Sequence, residues 1–113
     1  MSYSIFITKN FTKELKQLIK KYRSLKMDLV VLKNELLEKP NSGTHIGGNI
    51  YKIRLAIKSK GRGKSGGARV ITYFKLLDNS IYLLSIYDKS EKDSISNIRI
   101  KELLDQIDKS NLD

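Results

Sequence analysis

Residues 50–74 read IYKIRLAIKSKGRGKSGGARVITYF, and this stretch decides how the rest of the chain is interpreted. Between Glu38 and Asp78 there is no acidic residue. The odd-numbered residues 51, 53, 55 and 57 are apolar, and six basic residues stand at even positions: Lys52, Arg54, Lys58, Lys60, Arg62 and Lys64. Successive side chains of a strand point to opposite faces. The pattern therefore predicts a strand with one core face and one cationic face, which continues into a glycine-rich basic loop.

The positive charge of the chain is concentrated in its middle third. The net charge is +10, and residues 39–77 carry nine basic and no acidic residues, whereas residues 78–113 carry five basic and eight acidic ones. A concentrated positive charge indicates a site for a polyanion, of which a nucleic-acid backbone is the simplest. A solvated basic surface without a ligand is the alternative.

Length and composition indicate one domain that spans residues 1–113. Hydrophobic residues make up 40% and charged residues 30% of the chain, as is typical of a globular protein. There is no cysteine, and His45 is the single histidine, so we expect neither a metal nor another cofactor. Aliphatic runs such as LVVL at 29–32 are far shorter than the roughly 20 residues that span a bilayer. We therefore expect a soluble protein with no membrane partner.

Apolar residues at helical spacing predict three helices. The first is expected to be capped by Asn10 or Thr12. The second ends before Pro40, because a proline disfavours helix at the residue that precedes it. The third is predicted at about 94–109. Several lysines of the first helix fall on its polar side, where we expect them to face water: Lys13, Lys16, Lys20 and Lys21.

Alternating and β-prone stretches predict four strands in a small antiparallel sheet, at 3–7, 50–57, 69–76 and 80–87. Residues 40–49, PNSGTHIGGN, have the composition of a loop, and Asp78-Asn79 is expected to form a tight turn. The predicted fold is α+β with the order β-α-α-β-β-β-α. The first two helices cover one face of the sheet, and the other face binds nucleic acid.

Three segments of this chain carry the pattern of a known family at the appropriate spacing: YKIRLA at 51–56, GGARVITYF at 66–74 and IYLLSIYDKSEKDSIS at 81–96. Together they resemble the RelE superfamily of bacterial toxins, and the basic loop is most similar to that of the HigB-type branch. The resemblance implies a microbial-RNase-type fold and a type II toxin–antitoxin module. It also implies ribosome-dependent, metal-free cleavage of messenger RNA in the cytoplasm and a cognate antitoxin protein as partner.

The resemblance assigns catalytic roles to four basic residues, with Lys52 and Arg54 on one strand and Arg69 on the next. Lys89 matches a lysine that follows the last strand. In metal-free RNA cleavage the 2′-hydroxyl attacks the adjacent phosphorus, so clustered cations can position the strand and stabilise the developing charge. Arg69 is expected at the scissile phosphate. Its replacement by alanine is expected to abolish cleavage and leave the fold intact.

Two residues that such toxins use are missing, because Ser90 and Ser96 stand where the family has an arginine and a base-stacking tyrosine. Other groups are therefore expected to bind RNA, several of them in the segment 57–64, which looks inserted. This set is Lys58, Lys60, Arg62, Lys64, Tyr73, Tyr87 and Lys92. For the loop cations, plain phosphate contact explains their presence at least as well as catalysis does.

Two other functions stay open from the sequence. ParE-like toxins of the same superfamily bind a protein target such as DNA gyrase and hydrolyse nothing. The basic stretch by itself is also compatible with a non-catalytic nucleic-acid-binding domain.

Overall fold

The alternating residues at the start of the basic stretch form a strand inside a five-stranded sheet. The structure, a computed structural model, describes residues 2–61 and 63–107. The strands are β1 (Ser4–Ile7), β2 (Thr44–Gly47), β3 (Ile50–Leu55), β4 (Ala68–Lys75) and β5 (Ser80–Asp88), in the sheet order β1-β5-β4-β3-β2. The helices are α1 (Lys9–Lys21), α2 (Leu25–Glu38) and α3 (Asn97–Ile107). The predicted α+β class is confirmed.

The sheet is mixed, whereas the sequence predicts an antiparallel one. β1 runs parallel to β5, in a register that pairs Ser4 with Ser80 and Ile7 with Leu83. The other pairings, β5 with β4, β4 with β3 and β3 with β2, are antiparallel. Residue patterns report which stretches are strands, but they carry no information on the relative direction of two strands so far apart in the chain.

β2 lies within the segment that is predicted to be a loop, so this part of the prediction is wrong. Thr44 pairs with Lys52 and His45 with Tyr51. Gly43 precedes the strand with a φ of 96°, and a Cβ there would lie 2.5 Å from the carbonyl oxygen of Lys52. Every residue of β2 is exposed. The strand therefore lacks the alternation of buried and exposed residues by which strands are recognised.

α1 begins earlier than predicted, and its cap is Thr8 rather than Asn10 or Thr12. The Thr8 hydroxyl accepts a hydrogen bond from the Phe11 amide at 3.2 Å and donates one to the Leu83 carbonyl at 2.9 Å. The cap thus fixes the start of the helix to β5. Of the predicted third helix, 94–96 are not helical, and residues 108 and 109 lie outside the described part of the chain.

Hydrophobic clusters lie on both faces of the sheet. α1 and α2 cover the face that carries Ile53 and Leu55 of β3, as the alternation predicts. On the other face, α3 packs through Ile100 and Leu103 against the cluster that contains Ile71. The part of this second face that carries Arg54 is left open. Among the described residues, no helix is long and apolar enough to cross a membrane.

Candidate nucleic-acid groove

An open groove of about 480 Å³ lies on the second face of the sheet, beside the ends of β3 and β5. Its lining includes the four residues predicted to be catalytic, Lys52, Arg54, Arg69 and Lys89, together with Thr44, Ile46, Asp93 and Ser94. The sheet register explains the convergence, because Arg54 and Arg69 are directly opposite each other on β3 and β4. Lys89 follows β5, and its amide donates to the Gly67 carbonyl at 3.0 Å.

Arg69 is a buried cation in the floor of the groove, with 4% of its surface exposed. Its guanidinium donates to the carbonyl oxygens of Lys64, Ser65 and Ala68, each at 3.1 Å. Burial, and then the neighbouring Arg54, lower the pKa of Arg69. Within the described residues it forms no ion pair with a carboxylate. Arg69 therefore holds the end of the basic loop and adds an unneutralised charge to the groove.

The remaining cations of the groove differ in how accessible they are. Arg54 is exposed, and in the described part of the chain its guanidinium has neither a hydrogen bond nor an ion pair. The ammonium of Lys52 donates to the Asp93 carbonyl at 3.4 Å, and the ammonium of Lys89 forms an ion pair with the Asp93 carboxylate. Asp93 is the one carboxylate in the groove lining, so it occupies a place that suits an anion.

Tyr87 and Lys92 lie at the margin of the groove, whereas Tyr73 does not. Tyr87 is opposite Arg69 in the register of β4 and β5, is 5% exposed, and donates to the Asp93 carbonyl at 3.4 Å. Burial raises the pKa of Tyr87, against a lowering effect of Arg69. The ammonium of Lys92 lies 5.0 Å from the centre of the Tyr87 ring. Tyr73 stacks on Tyr82, with 5.9 Å between the ring centres, and lies beneath α3, away from the groove.

The basic loop does not continue the cationic face of β3, and the strand ends two residues before the predicted end at residue 57. β3 ends at Leu55, and Lys58–Lys60 forms a short 3₁₀ turn, which breaks the period of two. Lys58 and Lys64 are exposed and lie with Arg54 around a small adjoining pocket beside α2. Arg62 lies outside the described residues.

Lys60 belongs to a buried network instead of the groove. Its ammonium donates to Asp88 Oδ1 at 2.7 Å, and the two side chains are 12% and 0% exposed. The Tyr22 hydroxyl donates to Asp88 Oδ2, and the amide and hydroxyl of Ser90 donate to Oδ1 at 2.9 and 2.7 Å. Burial alone would raise the pKa of Asp88, but the hydrogen bonds from Lys60, Tyr22 and Ser90 outweigh it and hold that pKa well below its usual range.

This network joins the end of α1, the basic loop and the loop after β5. Sequence reasoning missed it because Lys60 and Asp88 are 28 residues apart and neither stands in a motif that would pair them. A buried lysine in a run of exposed ones gives no signal in a one-dimensional pattern.

The chemistry of the groove favours anions over cations. Its donors are ammonium and guanidinium groups. Across residues 2–61 and 63–107, no three His, Asp or Glu side chains come together as a set of metal ligands.

The comparisons with known proteins agree with the fold. The RelE toxin of the RelE/RelB toxin–antitoxin system is described by a family model that matches residues 3–110. The isolated RelE toxin of Escherichia coli is similar at 18% identity and a TM-score of 0.59, over 93% of this chain and 98% of that one. A double arginine-to-alanine mutant of the same toxin in the free state is similar at 21% identity and a TM-score of 0.57, over 95% and 99%.

At these identities the solved structures show a shared fold alone, and the HigB-type branch stays a prediction. The family model carries the assignment, because it spans nearly the whole length of the protein. The chain belongs to the RelE family of toxins from toxin–antitoxin systems, which implies an antitoxin as its partner.

Proposed function

We propose that this toxin is a metal-free endoribonuclease that cleaves messenger RNA on the ribosome and thereby inhibits translation in the cytoplasm. The observation that carries the proposal is the groove in which Lys52, Arg54, Arg69 and Lys89 converge. Ribosome-dependent cleavage is typical of the family and supports the reaction. Family membership supports neutralisation by a cognate antitoxin.

The groove is suited to bind the scissile phosphate. The exposed guanidinium of Arg54 can contact two phosphate oxygens at once. Arg69 contributes a fixed positive charge from a buried position, where electrostatic effects are stronger than in water. Both guanidinium groups stabilise the phosphorane-like transition state. In that state the 2′-oxygen bonds to phosphorus while the bond to the 5′-oxygen breaks, and negative charge accumulates on the phosphate oxygens.

When RNA enters the groove, the ammonium of Lys89 exchanges its Asp93 partner for a phosphate. In the free protein its ammonium is paired with Asp93. Both side chains are partly exposed, at 35% and 76%, so the ion pair is weak and a phosphate can replace the carboxylate. The ammonium of Lys52 contacts the backbone carbonyl of Asp93, so Lys52 lies close enough to bind the same RNA strand.

The test is induced expression in growing cells, followed by primer extension on an abundant transcript. We expect new 5′ ends inside translated frames with the natural protein. The variant Arg54→Gln/Lys89→Gln should lower cleavage by roughly one to two orders of magnitude per residue, because each change removes a charged hydrogen bond. Lys26→Gln/Lys101→Gln removes the same charge from α2 and α3 and should cleave normally.

Two outcomes would contradict the proposal. Growth arrest with intact transcripts would indicate a protein target, as in ParE-like toxins. Neither arrest nor cleavage would leave a nucleic-acid-binding domain without activity.

A further inference from the structure

α1 carries a second basic surface. Four of its lysines follow one another at intervals of four, three and four residues, which places them in one row along the helix. They are Lys9, Lys13, Lys16 and Lys20, and all four are exposed. The row lines an open depression of about 580 Å³ with Thr12, Gln17 and Ile19. We call these four lysines the α1 lysine row.

The charge of the row is not neutralised by the protein. Among the described residues, none of its four lysines forms an ion pair, whereas the adjacent Lys21 pairs with Glu91 at 2.9 Å. Glu14, the one acidic residue of α1, points inward and accepts hydrogen bonds from Asn10 and Ser85, each at 2.8 Å. Like charges at these spacings destabilise a helix. An anionic ligand would remove that cost.

The composition around the row favours a nucleic-acid backbone over a protein or a membrane. Lysine is depleted in protein interfaces, whose centres are apolar or aromatic, and the depression beside these lysines holds two polar residues, Thr12 and Gln17, and a single apolar one, Ile19. Membrane-surface helices insert a free apolar face. The apolar face of α1 is already used, because Phe11 and Leu18 are buried in the core.

The row lies on the opposite side of the molecule from the groove. α1 packs on the sheet face that carries Ile53 and Leu55, whereas Arg54 and Arg69 belong to the other face. Along the helix the four lysines cover roughly 16 Å. A strand held in the groove cannot also follow this row without passing around the domain, so the row suits a second segment.

We propose that the α1 lysine row binds the sugar–phosphate backbone of an RNA duplex while the groove holds the single strand to be cleaved. The choice of RNA rests on the proposed function. Two such contacts on one rigid domain raise the effective concentration of the substrate at the groove. On a large RNA assembly, the row would thus orient the groove toward the strand.

The test is titration of a fluorescent 20-base-pair RNA duplex with purified protein at several salt concentrations. The variant Lys9→Gln/Lys13→Gln/Lys16→Gln/Lys20→Gln keeps helix propensity, because glutamine and lysine are similar helix formers. We expect its affinity to fall at least about tenfold at low salt. We also expect its log–log salt slope to decrease by roughly 3, at about 0.7–0.9 per lost phosphate contact. Circular dichroism should show an unchanged fold.

The controls separate this proposal from the proposed function. Arg54→Gln/Lys89→Gln should lower cleavage in cells and the affinity for a short single strand but leave duplex binding, whereas the row variant should lose duplex binding and keep its affinity for the short single strand. A variant with four lysines outside both surfaces replaced, Lys26, Lys33, Lys39 and Lys101, removes the same charge and should keep the salt slope. Equal losses in both four-lysine variants would overturn the proposal, because they would show an effect of net charge.

Two further arms identify the ligand. Row-dependent binding to vesicles with phosphatidylserine, without row-dependent binding to RNA, would overturn the proposal in favour of a membrane surface. A DNA duplex of the same length that binds more tightly than RNA would overturn the choice of RNA.

Discussion

At the scale of single residues, Arg69 has two roles that a sequence pattern cannot separate. Its charge lies in the groove, while its guanidinium closes the basic loop through three carbonyl oxygens. The expectation that alanine at this position leaves the fold intact therefore needs revision, because the buried carbonyl of Ala68 and the two loop carbonyls of Lys64 and Ser65 would lose their donor.

We predict that Arg69→Ala lowers the free energy of unfolding by roughly 1–3 kcal/mol as well as abolishing cleavage. Urea denaturation measures the effect. Arg54→Ala is the matched control: it removes the same charge from an exposed position and should change stability by less than about 0.5 kcal/mol. Equal stability of the two variants would show that the loop does not depend on Arg69.

The buried carboxylate of Asp88 gives the stability of the protein a pH dependence that can be measured. Its pKa is lowered in the folded state, so its stabilising contribution is fully present above its ordinary pKa of about 3.9 and is lost as the pH falls through the lowered value. Asp88→Asn leaves Lys60 buried without a counter-charge and should cost roughly 3–5 kcal/mol at pH 7. That difference from the natural protein should shrink below about pH 4.

Urea denaturation at pH 7, 4 and 2.5 tests this pH dependence. Asp105→Asn, at an exposed position of α3, is the control and should have a small effect at every pH. A difference between Asp88→Asn and the natural protein that stays constant across the pH range would contradict the assignment.

At the scale of elements, two loops support the groove. The loop that joins β3 to β4 holds Arg69 through the carbonyls of Lys64 and Ser65, and the loop that joins β5 to α3 contributes Lys89, Asp93 and Ser94 to the lining. Gly67 closes the first loop, and a Cβ there would lie 2.1 Å from the Leu55 carbonyl oxygen. We predict that Gly67→Ala costs roughly 1–3 kcal/mol, because backbone must move to admit the methyl group. Thermal unfolding measures the effect, and Ser65→Ala, an exposed neighbour, should be neutral.

The second loop places Asp93 where a phosphate is expected to bind. We predict that Asp93→Asn raises the affinity for a short single-stranded RNA several-fold, because Lys89 loses its competing partner. Fluorescence anisotropy at low salt measures this. Glu91→Gln makes the same charge change outside the groove lining and should have a smaller effect. An unchanged affinity in Asp93→Asn would argue against a phosphate at Lys89.

At the scale of the whole molecule, positive charge on both sides of the sheet opposes the compact state. The net charge is +10, so like-charge repulsion should outweigh the few exposed ion pairs. We predict that raising NaCl from 0.02 to 0.3 M increases the melting temperature by a few degrees. The variant with glutamines in the α1 lysine row should respond less, and a melting temperature that falls with salt would contradict this account.

How far the sequence predicts the structure depends on the range of the interaction. The alternation of Ile53 and Leu55 with Arg54 correctly predicts which face of β3 joins the core. The same rule fails at Lys60, because a 3₁₀ turn changes the period and a partner 28 residues away buries the ammonium. Likewise, Thr8 rather than Asn10 caps α1, since its hydroxyl also reaches the carbonyl of Leu83 on β5.

The sequence by itself determined the α+β class, the approximate position of most elements and the concentration of positive charge, because these depend on local periodicity and composition. Only the tertiary structure decided that β1 is parallel to β5, that four separated cations line one groove, and that α3 packs on the face opposite α1. It also placed the α1 lysine row on the side away from that groove. These features depend on which distant segments pack together, and packing is decided by three-dimensional fit rather than by the order of residues.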